Sequence, residues 1–322
     1  MQSAGEHGTL YQLRNKLNRT NVVKDPKNDF NACDDFFDVV ISGHIIAAVL
    51  VSLKMKSTSD TPSDDVFPDV QNLWMCSEDD RKSALDKLCK ELYDKFVGFT
   101  FNDPVVSSTK DTDGIYSYSK QLLRLGCFYL EFADGIREGD GERVLRCWRY
   151  LLPICLGSGR TNYSCEILNM LFQHSFALPP RLSTQLLWSR FINVHGEPGK
   201  NIPADLHMEH LNRLAKDAIR SQGANKTNRA ISRVGKAVGT LAPVLNQFDK
   251  DNCVATPSGK HSRANAKTDI SLVVSELIKS DAFVKRAGRK HNTFPHPKNV
   301  LQLKARDELL TWMVGRLGSA HL

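Results

Sequence analysis

The chain reads as a mainly α, multi-helical assembly, and three observations carry that reading. Apolar residues recur at three- and four-residue spacing through most of its length, as at Leu85, Leu88, Leu92 and Phe96. That is the period of a helix with one buried face. Alternating strand patterns are scarce, and the best, a short piece at Val97–Phe101, reads equally well as a loop. Composition is that of a globular protein, 41% hydrophobic and 25% charged over 322 residues. This length suffices for one large or two ordinary domains, each with its own core.

Taken in order, the periodicity predicts helices over about 32–54, 81–97, 115–136, 140–154, 161–175, 181–193, 203–222, 226–246, 269–279 and 302–317. The first holds an apolar run, Phe36 to Leu53, that just reaches membrane-spanning length. It also contains Asp38, Ser42, Gly43 and His44, and its ionisable groups are costly at a bilayer centre, so it reads as a buried central helix. Asp140 and Thr161 have the chemistry of N-caps, Pro203 suits a first helical turn, and Gly223 a C-terminal stop. Ser57–Asp69, Asn102–Asp113 and Asp249–Lys267 are polar and read as loops or linkers. The resulting division is a helical domain with acidic loops over 1–156, a basic helical region over 157–248, and a polar linker with a C-terminal helical region over 249–322.

The eight cysteines (33, 76, 89, 127, 147, 155, 165 and 253) form no C-x-x-C pair, and several sit inside apolar helical patterns. That usage fits reduced, buried thiols in an intracellular protein. No basic-then-apolar N-terminal segment marks a secretory signal. Charge is unevenly spread: residues 1–199 carry 22 Lys+Arg against 26 Asp+Glu, whereas 200–322 carry 21 against 10. A polyanion would therefore meet the last third of the chain.

Local motifs separate into weak and usable signals. Gly157-Ser-Gly159-Arg160-Thr161 lacks both the earlier glycine and the lysine of a phosphate loop, and reads as a tight turn between helices. Asp205, His207, Glu209 and His210 resemble a metal-ligand set. The two carboxylates, four apart, share one helix face while the histidines lean toward the apolar stripe, so a capped, salt-bridged helix is favoured, with Glu209 pairing Arg213. Glu166 has apolar neighbours Ile167, Met170 and Leu171 and is expected beside a packed face, paired with Arg160 or Arg190. Lys226, Arg229, Arg233 and Lys236, spaced three, four and three, lie on one helical face. Arg213, Lys216 and Arg220 give the preceding helix a matching stripe. Seven cations in two stripes can neutralise phosphates, and the absence of aromatics among them argues against base reading. Lys285-Arg286-Ala287-Gly288-Arg289-Lys290-His291 has the composition of a nuclear import signal.

Four pieces of the chain carry a family resemblance. They are Gly8-Thr9-Leu10-Tyr11-Gln12-Leu13-Arg14-Asn15 with Leu17–Asn21, and Gly159-Arg160-Thr161-Asn162-Tyr163 with Glu166. The third runs from Asn193 through His195, Gly196, Pro198, Gly199 and Asn201-Ile202-Pro203 to Asp205, Glu209 and Asn212, and the fourth is Gly288-Arg289 with His291, Phe294 and Pro295. In these the chain resembles the domain of unknown function 6589 family, whose members look like relatives of mobile-element transposases with an RNase H-like core. The resemblance implies the mainly helical C-terminal portion of a larger, transposon-derived protein. Such a core needs acidic residues on strands and one later helix to hold two metal ions. Glu166 could be the helical carboxylate, but no strand here carries its partners.

The expected function is thus a non-catalytic, nucleic-acid-binding remnant of a transposase, nuclear rather than cytoplasmic. It would contact DNA phosphates through Arg213, Lys216, Arg220, Lys226, Arg229, Arg233 and Lys236, with no cofactor and no membrane. A helical scaffold that binds protein is the alternative of a different class. A metal-dependent nuclease using Glu166 with Asp205 or Glu209 is the third, and only it calls for a divalent metal.

Overall fold

The computed structural model describes residues 8–23, 25–26, 28–62, 75–98, 113–194, 196–224, 226–252, 266–291 and 306–319. Among them are eleven α-helices: α1 (Leu10–Lys16), α2 (Phe30–Ser52), α3 (Glu78–Leu92), α4 (Gly114–Glu138), α5 (Gly141–Gly157), α6 (Thr161–Phe172), α7 (Pro180–Trp188), α8 (Ala204–Ser221), α9 (Asn228–Asp251), α10 (Ala266–Lys279) and α11 (Arg306–Ser319). A π-helical turn extends α3 over Tyr93–Val97 and another extends α6 over Gln173–Ala177. The strand pattern at Val97–Phe101 therefore begins on a helical turn, and its remainder, after Gly98, lies outside the described residues. Two residues each of β1 (Phe191–Ile192) and β2 (Ile202–Pro203) pair antiparallel, Phe191 with Pro203 and Ile192 with Ile202.

All ten helices expected from periodicity are present. α1 is not among the ten, because at seven residues it is too short to show a period; its start is chemical instead. Thr9 Oγ1 accepts from the Gln12 N–H at 3.2 Å, and the Gln12 side chain accepts from the Gly8 N–H at 2.7 Å. This is a variant of the capping box. Asp140 caps α5 as expected, accepting from the Arg143 N–H at 2.9 Å. Thr161 does not cap α6: it is the first helical residue, Arg160 holds the cap position, and no side chain bonds there.

The chain divides into two compact units, one of residues 1–130 with 261–314, the other of 131–260 with 315–322. The division falls inside α4 and differs from the three-part division read along the sequence. In the first unit α2 is the central helix, packed on α10, α1 and α3. It is long and apolar enough to cross a bilayer, and 56% of its most apolar window is buried within the fold. Gly43 is where α10 comes closest, since a Cβ there would lie 2.5 Å from Val273 Cγ1. His44 is fully buried against Phe283 and bonds the Val40 carbonyl at 2.8 Å. Burial lowers its pKa to about 4, only partly offset by that bond, so the ring is neutral near pH 7.

Charged side chains clamp the same core. Arg19, 7% exposed, pairs with Asp269 at 2.7 Å and Asp35 at 3.3 Å. Asp113 has a fully buried carboxylate that accepts from the Ile115 and Tyr116 N–H groups at the start of α4. It also accepts from the Arg286 N–H and from two nitrogens of Arg289. Arg289 and His291, two of the basic cluster's five basic residues, are thus part of the packing, with His291 stacked on Tyr118 at 5.3 Å. Lys285, Arg286 and Lys290 are exposed.

In the second unit α5 packs on α6 and α7, and the β1–β2 hairpin leads into α8 and α9, which pack on each other. Gly141 lets α7 approach α5, since a Cβ there would lie 2.7 Å from the Leu187 carbonyl oxygen.

Candidate nucleic-acid interface

The cationic residues singled out in the sequence converge on one helical hairpin. In α8, Ala204, His207, Leu211, Ala215, Ala218 and Ile219 are half-buried at helical spacing. Arg213, Lys216 and Arg220 occupy the opposite face and are exposed, as the 3.6-residue period requires. In α9 the half-buried residues are Ala230, Ile231, Val234 and Ala237, while Arg229, Arg233 and Lys236 are exposed along an adjoining face. Gly223, with φ of +58°, ends α8 as expected, its N–H donating to the Arg220 carbonyl. Thr227 starts α9 by accepting from the Ala230 N–H at 3.2 Å. Lys226 lies in that connection, two residues before the helix it was expected to join, and is exposed there.

Electrostatically the hairpin is unbalanced. Arg220 pairs with Asp217 at 3.5 Å, with both side chains mostly exposed, an arrangement that contributes little. Arg213, Lys216, Lys226, Arg229, Arg233 and Lys236 make no ion pair among the described residues, and the expected pair between Glu209 and Arg213 does not form. A row of hydrated cations on a helix face is chemically suited to phosphate oxygens.

The candidate acidic residues do not assemble. Asp205, Glu209 and His210 are exposed and His207 is half-buried, all on α8. Among the described residues no group of three or more His, Cys, Asp or Glu side chains is placed to hold a metal ion. Glu166 is exposed rather than set against a packed face, because the buried stripe of α6 runs through Ser164, Ile167 and Leu168. It pairs with neither Arg160 nor Arg190. Arg190 instead lies over the Trp148 ring at 4.6 Å, donating from Nε to the Leu186 carbonyl at 3.1 Å and from Nη2 to Met170 Sδ at 2.9 Å. Burial lowers the Arg190 pKa.

Two other reactive types have structural explanations. Ser183 Oγ is 2.5 Å from His174 Nδ1 and 3.0 Å from the His174 carbonyl, clipping the start of α7 to the π turn that follows α6. Among the described residues no carboxylate orients that histidine, so the pair lacks the third member of a nucleophilic triad. The seven described cysteines are free thiols. Burial pushes the pKa of Cys127, Cys147 and Cys155 up, away from the thiolate that nucleophilic chemistry needs.

Most of the motif residues prove to be scaffold. Asn193 Oδ1 accepts from the Gly196 N–H at 2.7 Å and its Nδ2 donates to the Glu197 carbonyl at 2.8 Å. Gly196 and Gly199 take φ of +67° and +68°. Asn201 donates from both its backbone N–H and its Nδ2 to the Arg137 carbonyl, fixing the second arm of the hairpin to the end of α4. The Ala204 N–H then donates to the Arg190 carbonyl at 2.7 Å, setting where α8 begins. His195 lies outside the described residues. These bonds are local turn chemistry that aims α8, and the spacing Asn-x-x-Gly was the sequence signal that could have revealed it. By contrast Arg160, Asn162, Tyr163 and Glu166 are exposed, and among the described residues none of their side chains has a hydrogen bond or ion pair.

No curated protein and no solved structure matches this chain. The model of a family of unknown function, DUF6589, matches residues 1–261 of the 322, and the chain belongs to that family.

Proposed function

We propose that this protein binds nucleic acid without catalysing a reaction on it, using the α8–α9 hairpin to grip phosphates. The observation that carries this reading is the display of seven exposed cations on one hairpin, six of them without a carboxylate partner among the described residues. No aromatic residue lies within either cationic stripe, 213–220 or 226–236, which favours backbone contact over base reading. In this reading the chain is the helical part of a transposon-derived protein that has kept its grip on DNA. It acts in the nucleus, without a cofactor. The scattered carboxylates Glu166, Asp205 and Glu209 weigh against the nuclease alternative.

The test is fluorescence anisotropy with a labelled, random-sequence DNA duplex. Charge reversal on α8 (Arg213→Glu with Lys216→Glu) and on α9 (Arg229→Glu with Arg233→Glu) should each weaken binding by about tenfold or more at low salt. Binding that survives both double variants would reject the hairpin as the site.

A scaffold reading has one observation in its favour. No residue of α8 is fully buried, and Met208, Leu214, Val244 and Phe248 are exposed at 42–63%. A hairpin of this kind can present apolar side chains to a protein, and it predicts self-association or protein capture with no response to phosphate.

A further inference from the structure

The cations of the α8–α9 hairpin share their surface with the hydroxyls of Ser221, Thr227, Ser232 and Thr240, all exposed. Three of these are engaged. Ser221 Oγ donates to the Ala218 carbonyl at 2.8 Å and Thr240 Oγ1 to the Ala237 carbonyl at 2.9 Å, while Thr227 Oγ1 accepts at the start of α9. Among the described residues the Ser232 hydroxyl has no hydrogen bond.

The helical neighbours of Ser232 are cations. Arg229 lies three residues before it and Lys236 four after, each one turn away on the same face, and Arg233 follows it directly. No Asp or Glu occurs from Ala218 to Phe248. Ser83 on α3 shows the contrast. It is exposed and follows Arg81 and Lys82, but Asp79, Asp80 and Asp86 stand one turn to either side, so a negative group there meets like charge.

A phosphoryl group carries about −1.5 to −2 charges at pH 7, offers three acceptor oxygens and is stabilised opposite arginine. On Ser232 it lies within one turn of Arg229 and Lys236, and an anion four residues ahead of a lysine is the favourable order along a helix. Both cations are then answered within the chain and not by an outside phosphate. Arginine three residues before the serine is also a charge pattern that suits a kinase with an acidic substrate groove. Such a groove takes an extended segment, and α9 is able to open into one. None of its described residues is fully buried, and Gly235, Gly239 and Pro243 weaken the helix beyond the serine.

We propose that Ser232 is a phosphorylation site that switches off the hairpin's grip on nucleic acid. Its Oγ attacks the γ-phosphorus of a nucleoside triphosphate held by the kinase. An O–P bond forms as the bond from that phosphorus to the β,γ-bridging oxygen breaks; the nucleoside diphosphate leaves, and the hydroxyl proton passes to the kinase's base. The switch rests on the reading of the hairpin as a phosphate-binding surface. The site and its pairing with Arg229 and Lys236 stand apart from that reading.

The experiment treats the full chain with Mg-ATP and the catalytic subunit of a cyclic-AMP-dependent protein kinase, an arginine-directed probe. Peptide mass spectrometry should find a phosphoryl group on Ser232, and Ser232→Ala should lose it. Phosphorus-31 NMR should place the second ionisation of this phosphoserine below its ordinary pKa of about 6. Lys236→Gln, which keeps the arginine ahead of the serine, should raise it again. Phosphorylation should weaken duplex DNA binding by about tenfold or more and make its salt slope shallower by about 2. Ser232→Ala should bind duplex within about twofold of the wild type and not respond to the kinase. A chain that takes no phosphate at Ser232 overturns the site. A phosphoserine that ionises at its ordinary value, indifferent to Lys236→Gln, overturns the pairing. Duplex binding that survives phosphorylation with affinity and slope unchanged overturns the switch. If the chain binds no duplex even unmodified, the hairpin reading fails and the switch with it, while a lowered phosphoserine ionisation still establishes the site.

Discussion

Asp113 shows how much one side chain can organise. Its buried carboxylate caps α4 and ties down the Asp281–His291 segment through Arg286 and Arg289. Burial works against its charged form, yet the Arg289 hydrogen bonds, the Arg286 and Tyr116 N–H groups and the Arg289 charge outweigh it and hold the carboxyl below its ordinary pKa. A carboxyl depressed in this way adds stability above its unfolded value near about pH 4, and that stability is lost as pH falls through the folded value. Asp113→Asn should cost roughly 3–5 kcal/mol at neutral pH, because Arg289 is left without its partner. Urea unfolding measures this, and the variant should lose less stability than the wild type between about pH 5 and pH 3. At this scale the sequence was only partly legible. The cations on α8 and α9 followed from helical period alone, but Glu166 did not. Tyr163, Ile167 and Met170 surround it in sequence, yet the buried line of α6 runs through Ser164, Ile167 and Leu168 and leaves Glu166 exposed. A stripe a single position wide is decided by which neighbouring helix arrives, and sequence period does not say that.

Among the elements, those with a sustained period were legible, and those built by local chemistry were not. The helices from α2 to α11 all show apolar recurrence, whereas β1 and β2 have two residues each and no pattern to read. Their hairpin depends on Asn193, Gly196, Gly199 and Asn201, turn residues that look like a loop until their partners are known. Helix packing had a quieter signal in glycine. Gly43 on α2 faces Val273 on α10, and Gly126 on α4 faces Ile41, where an added Cβ would lie 2.2 Å from the Ile41 Cδ1. Gly43→Ala should therefore destabilise by about 1–3 kcal/mol, despite the better helix propensity of alanine. Chemical denaturation checks it, and an unchanged or raised midpoint would mean that α10 can shift away without loss.

On the scale of the molecule, the matched family region ends at residue 261 while the first unit is completed by later residues. Val273 and Leu277 of α10 are buried in its core, and Asp269 and Glu276 hold Arg19, Lys16 and Gln12. A chain shortened to residues 1–261 should lose cooperative unfolding of that unit and become sensitive to protease, and a sharp unfolding transition would refute this. The charge asymmetry was legible as a whole-chain property, and the structure concentrates part of it on one exposed hairpin. If the α8–α9 hairpin grips phosphates, the salt dependence of duplex DNA binding will show it. Each phosphate neutralised contributes about −0.9 to the slope of log affinity against log salt. The wild type should give a slope of about −4 to −6, made shallower by about 2 in Arg229→Glu with Arg233→Glu. A slope near zero, or one that the double variant leaves unchanged, would contradict that grip.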